Sequence, residues 1–246
     1  MVLTAARGAV GFLTRLPVGQ SERAWAALGA APMVMVPTAY LIGGLAVLPI
    51  LLLPGPTAAV AFPLALLAVT GIAHVDGLAD AADAAASHGS RADRREIMRD
   101  TVIGVGGTVA IAVDLLGLAL AGLALAGAPF RVAIGLVVAA EVGAKLAMVG
   151  LAVVGRSTHP GMGARLVGAS RWQLLGGTLF AVPAAFLAWP VLAPGVALLG
   201  GIAGGGLVLT WARASLGGVS GDVFGAANEV ARLLALHVGV VAWTLY

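Results

Sequence analysis

The stretch His74-Val75-Asp76-Gly77-Leu78-Ala79-Asp80-Ala81-Ala82-Asp83 places three carboxylates at i, i+4 and i+7. At 3.6 residues per turn they share one helix face, and the alanines between them favour the helix. No basic residue lies in the stretch to relieve their repulsion. A bound divalent cation is the simplest compensation. Clustered hard oxygen ligands suit Mg²⁺, Mn²⁺ or Ca²⁺ rather than zinc. The plainer alternative is a solvated acidic turn after an apolar run. The spacing, the glycine beside the first aspartate and the small residues between favour a metal site at Asp76, Asp80 and Asp83. His74 is open to three readings: ligand, base, or satisfied interfacial side chain.

Six of the eleven acids fall between Asp76 and Asp100, and four arginines follow within nine positions: Arg91, Arg94, Arg95 and Arg99. Guanidinium forks match phosphate oxygens. A topological signal plus contact with anionic lipid explains any single arginine here equally well. A second polar patch, Gly217-Gly218-Val219-Ser220-Gly221-Asp222 followed by Gly225, Ala226, Asn228 and Glu229, has Asp222 and Glu229 seven apart, aligned if helical. Its glycine-rich lead-in suits backbone approach to an anion. Asp114, Glu141 and Lys145 interrupt apolar runs and must face protein or water. Glu141 and Lys145 stand at i, i+4 in the favourable order for a pair. His159 reads as part of a turn and His237 as a packed or snorkelling residue.

The elements that must position these groups are set by composition. Of 246 residues, 60% are hydrophobic and 10% charged, with a mean hydropathy of +1.03. Soluble chains carry about 25% charged residues, so lipid must be the solvent for most of this chain. No charge occurs between Arg23 and Asp76, room for two spans at 31–53 and 57–73 with a turn at Pro54-Gly55-Pro56. Further spans are expected at 102–126 and 131–154, and two more within 173–212, broken at 190–195. The apolar tail 233–246 is short for a seventh span and equally suits an interfacial helix. Residues 2–16 suggest another short interfacial helix rather than a cleaved signal. The expected fold is therefore all-α, a polytopic transmembrane helical bundle forming one integral membrane domain over 1–246. Polar loops are expected at about 74–101, 155–172 and 213–232.

With the N-terminus inside, twelve of the thirteen arginines fall on one side, and Arg131 alone on the other. This bias predicts a cytoplasmic N-terminus and cytoplasmic polar loops in a cell membrane. The net charge of +3 and the absence of a basic, aromatic-interleaved stripe argue against nucleic acid. There is no cysteine, which removes disulfides and thiolate sites. Gly200-Gly201 and Gly204-Gly205-Gly206 give the small-xxx-small spacing of close helix packing.

Taken together and in order, four blocks resemble the adenosylcobinamide-GDP ribazoletransferase, or cobalamin synthase, family. They are Phe12-Leu13-Thr14-Arg15-Leu16-Pro17-Val18, the run from Thr70 to Asp83, Arg95-Glu96-Ile97-Met98-Arg99-Asp100 with Gly104 and Gly107, and the Gly217–Glu229 patch. The run to Asp83 is the specific one. The resemblance implies attack by the hydroxyl of α-ribazole, or of its 5′-phosphate, on the phosphorus attached to cobinamide in adenosylcobinamide-GDP. GMP leaves and adenosylcobalamin, or its 5′-phosphate, forms. It implies Mg²⁺ on Asp76, Asp80 and Asp83, with one of these or His74 as base. Arg95 and Arg99 would grip phosphate, with Asp100, Asp222 and Glu229 completing a polar floor. The corrinoid would dock at the bilayer surface, and a homo-oligomer is compatible with all of this. Two departures stand out: Ala84 where relatives often have glycine, and Lys145 where they often have arginine. The rivals are a CDP-alcohol phosphatidyltransferase, whose pattern wants an Arg where Asp80 stands, and a cation-coupled transporter, which wants midplane acids.

Overall fold

The computed structural model describes residues 2–19, 21–189 and 191–245. The described residues form helices and no strand; one isolated bridge joins Ser157 to Val219. The chain opens with α1 (Val2–Leu13) and α2 (Glu22–Ala30), the latter capped by Ser21, whose hydroxyl accepts from the Ala24 N–H. A 3-10 turn leads into α3 (Met35–Ala46) and α4 (Leu48–Leu52), together spanning Pro32–Leu52. Then come α5 (Gly55–Thr70), α6 (Ala73–Ala86), α7 (Arg91–Ile97), α8 (Val105–Leu125) and α9 (Phe130–Val154). The short α10 (Met162–Leu166) and α11 (Arg171–Ala181) precede α12 (Ala193–Ser215) and α13 (Gly221–Leu245).

Among the described residues, five helices are long and apolar enough to cross a membrane, six if the bent pair α5–α6 is taken as one. α9 is the axis of the bundle. It is buried along nearly its whole length and packs against α3, α11, α12 and α13. The glycines of α12 wedge between α9 and α13. A methyl on Gly201 would lie 2.9 Å from the Gly143 Cα, and one on Gly204 2.8 Å from the Ala231 Cα. Such approach lets backbones make the dispersion contacts that drive association in lipid.

Three boundaries differ from the sequence reading. The second span ends at Thr70, where Gly71 (φ 75°) breaks the helix and α6 leaves the α5 direction by 102°. A residue with a Cβ is strained at that φ. The break is held from outside: the Arg15 N–H donates to the Val69 carbonyl at 2.8 Å, which is one use of the Phe12–Val18 block. The stretch 213–232, expected as a loop, is mostly helix. It joins the tail in α13, one helix of 25 residues, rather than a loop followed by a short apolar segment. The polar residues of 221–232 are compatible with a long helix because they face protein, not lipid. The pair expected within 173–212 comprises α11, continued by a 3-10 stretch through Pro183, and the longer α12. Of its break at 190–195, Pro190 lies outside the described residues, as do Met1, Gln20 and Tyr246.

Candidate active site

α6 is two-faced. His74, Gly77, Ala81 and Ala84 are buried. Asp76 is exposed, and Asp80 and Asp83 are half-buried on the other side. The helix register expected from the i, i+4, i+7 spacing is therefore present.

What lies beside each carboxylate differs. Gly77 packs onto the first turn of α13: a Cβ there would sit 2.5 Å from the Asp222 carbonyl oxygen and 2.8 Å from its Cα. Across the same contact Gly225 faces the backbone of His74. This close crossing carries Asp222 onto the carboxylate face. Burial first, then the charges of Asp222, Asp76 and Asp83, push the Asp80 carboxyl up to about 7. Asp222 is the largest of those charges, so the site is a cluster from two helices.

Asp83 has a separate task. Its two oxygens accept from the Gly104 N–H at 2.7 Å and the Gly107 N–H at 2.9 Å. It thus caps α8 from another helix, where a carboxylate also meets the positive end of the helix dipole. With those oxygens turned to backbone, no group of three His, Asp or Glu side chains among the described residues converges as a ready-made cation cage. The remaining donors on this face are Asp76 and Asp80, with Asp222 beside them.

α7 packs back on α6. Ser90 and Asp93 form a capping box at its start. Arg94 donates to the Ser87 carbonyl, Arg91 to the Ala214 carbonyl and Arg95 to the Arg91 carbonyl. The Arg99 side chain is exposed and has no hydrogen bond or ion pair among the described residues, while its backbone N–H donates to the Glu96 carbonyl. Asp100 accepts from the Val102 N–H in its own turn.

Glu229 is not part of the exposed floor. It is 1% exposed and belongs to a polar network inside the bundle. Arg232 bridges Glu229 on its own helix and Glu141 on α9. Lys145 pairs with Glu141 at 2.5 Å, the pair its spacing suggested. Asn228 donates to Glu229 at 3.0 Å, and His74 Nδ1 lies 3.8 Å from the Glu229 carboxylate. His74 thus faces the network, away from the three aspartates. Two cations and two anions balance, as burial in lipid requires. Asp114, from α8, is also buried, and neither oxygen has a hydrogen-bond partner among the described residues. Sequence reading missed Arg232 and Asn228 as members. The available signal was Glu229 and Arg232 at i, i+3 in a run that continues apolar to the end.

A cavity of about 1050 Å³ opens between α1, α2 and α10 and reaches Ala73, in the first turn of α6.

Residues 5–240 match the family described as cobalamin-5-phosphate synthase. A protein of Halorubrum lacusprofundi named adenosylcobinamide-GDP ribazoletransferase is 52% identical over the full length of both chains. Proteins of the same name from Haloquadratum walsbyi and Methanocella arvoryzae are 41% and 33% identical, covering 100% and 98% of this chain and 100% and 97% of their own. No solved structure matches. With residues 5–240 of 246 matched and this identity end to end, the chain belongs to the cobalamin-5-phosphate synthase family.

Proposed function

We propose that the chain joins α-ribazole, or its 5′-phosphate, to adenosylcobinamide-GDP at the exposed face of α6. The ribazole hydroxyl oxygen forms a bond to the phosphorus that carries cobinamide. The anhydride bond from that phosphorus to GMP breaks, GMP departs with the electron pair, and the hydroxyl proton passes to a base. Family membership and the relatives' shared name support the substrates. The observation that carries the chemistry is the Asp76, Asp80 and Asp222 cluster, assembled from two helices by the Gly77 contact.

Such a transfer needs charge neutralisation and alignment more than covalent help. Asp76 and Asp80, with Asp222 beside them, would hold Mg²⁺, which takes one or two carboxylates and fills its other positions with substrate phosphate and water. The elevated Asp80 pKa supports this, since crowded carboxylates favour a cation between them. When bound, the ion would neutralise the pyrophosphate. Asp83 acts by fixing α8 against α6. Asp76 is more exposed than Asp80, Asp83 and Asp222, and through an oxygen that the ion leaves free it would take the hydroxyl proton. His74 serves by seating α6 on α13 rather than as base. Arg99, with Arg95 behind it, would grip phosphate oxygens. The arginine bias supports a cytoplasmic position for this face at the cell membrane, where the corrinoid would rest at the bilayer surface.

The test is GMP release by the purified protein in liposomes given adenosylcobinamide-GDP, α-ribazole and Mg²⁺. Release with cobalamin formation, lost in EDTA and in Asp80→Asn, is expected. Folded protein that releases no GMP would sink the proposal.

A further inference from the structure

The cavity between α1, α2 and α10 is not needed to explain the carboxylate face, yet it adjoins that face. Ala73 in its wall stands at i relative to Asp76 at i+3 and Asp80 at i+7, on one side of α6. At 1.5 Å per residue, the wall lies about 4.5 Å and about 10.5 Å along the axis from the two carboxylates. The nearer of these distances is about the span of a ribose. The volume of about 1050 Å³ sits at the upper end of the roughly 300–1,000 Å³ usual for small-ligand sites.

The lining has a definite chemistry. Phe12 of α1 and Trp25 of α2 stand with ring centroids 4.8 Å apart and planes at 53°, both half-buried. They offer an aromatic wall inside a site otherwise built largely of glycine and alanine. Two guanidiniums flank it. Arg7 is fixed by donating from Nε to the Val18 carbonyl at 2.7 Å, and Arg165 pairs with Glu22 at 2.9 Å. An aromatic wall with cations at its edge and carboxylates about one and two helix turns away suits a flat base carried on a ribose, with phosphate toward the arginines.

We infer that this cavity seats the heteroaromatic nucleoside end of a substrate, its base against Trp25 and Phe12. The inference rests on the transferase reading above. Two sources share that chemistry: the α-ribazole acceptor and the guanosine end of the donor.

The experiment uses the full chain in liposomes or nanodiscs, with α-ribazole and GMP as separate probes. Tryptophan emission is followed in wild type and in Trp25→Phe, which keeps an aromatic ring in place. Equilibrium dialysis is repeated with Trp25→Leu. A ligand-induced change in emission present in wild type and absent in Trp25→Phe is expected. Trp25→Leu should weaken one probe about five- to a hundredfold, the range of base–aromatic stacking. Its KM for the matching substrate should rise alike while kcat stays within about twofold. An effect confined to α-ribazole assigns the cavity to the acceptor; one confined to GMP assigns it to the donor. Trp25-dependent binding in a protein that releases no GMP would keep the cavity and refute the transferase reading. Undiminished binding of both probes, with the Trp25→Phe emission response intact, would overturn the inference. Should Trp25→Leu not fold, the emission comparison alone decides.

Discussion

Replacing Gly77 by alanine tests how the site is assembled. The new methyl would meet the Asp222 carbonyl oxygen at 2.5 Å, where ordinary contact begins at 3.4 Å. α6 and α13 must therefore separate locally by about 0.9 Å, the difference of those two distances. Asp222 cannot swing away, because all three atoms met, its carbonyl oxygen, Cα and carbonyl carbon, are backbone. Overpacking of this kind costs about 1–3 kcal/mol, while alanine returns about 1 kcal/mol of helix propensity over glycine. The net stability loss is then about 0–2 kcal/mol, and the melting temperature should fall only modestly. Activity should fall much further, because a displacement near 1 Å in positioned groups can cost on the order of 100-fold. The assay is the rate of GMP release at saturating substrates and Mg²⁺, alongside thermal unfolding followed by circular dichroism. Unchanged kcat in a folded Gly77→Ala protein would refute the claim that Asp222 reaches the aspartate face through this contact.

Asp83→Asn keeps one of the two acceptors at the start of α8 and loses the charge, so destabilisation of about 1–2 kcal/mol is expected. Its kcat should suffer less than that of Asp80→Asn, and the reverse order would make Asp83 a direct ligand instead. Because the Asp80 carboxyl is raised to about 7 in the folded, ion-free protein from an ordinary 3.8, its contribution favours folding fully below about pH 4 and fades as pH rises to 7. Unfolding in EDTA should show that decline in wild type, and a decline undiminished in Asp80→Asn would assign it elsewhere. Arg232→Met leaves Glu141 and Glu229 without their shared partner inside the bundle, a loss of about 3–5 kcal/mol. The readout is folded yield in membranes, with partial recovery in the double variant that adds Glu229→Gln and leaves Glu141 paired with Lys145. A wild-type yield from Arg232→Met alone would show the network is dispensable.

The sequence alone determined the membrane bundle, because so few charges spread over long apolar runs leave no soluble alternative. It also determined the register of Asp76, Asp80 and Asp83, since a helical period follows from local spacing. The pairing of Glu141 with Lys145 was legible for the same reason. The length of α13 was not: Arg232 reads as the edge of a loop until Glu141, 91 residues away, is seen to neutralise it. Local spacing likewise could not divide the labour among the aspartates. Asp83 became a cap because the α8 backbone arrives from 21 residues downstream. Asp222 joined the cluster because Gly77 lets α13 come close. Which carboxylates face a substrate and which face backbone depends on helix crossings, and a one-dimensional pattern does not encode where two helices cross.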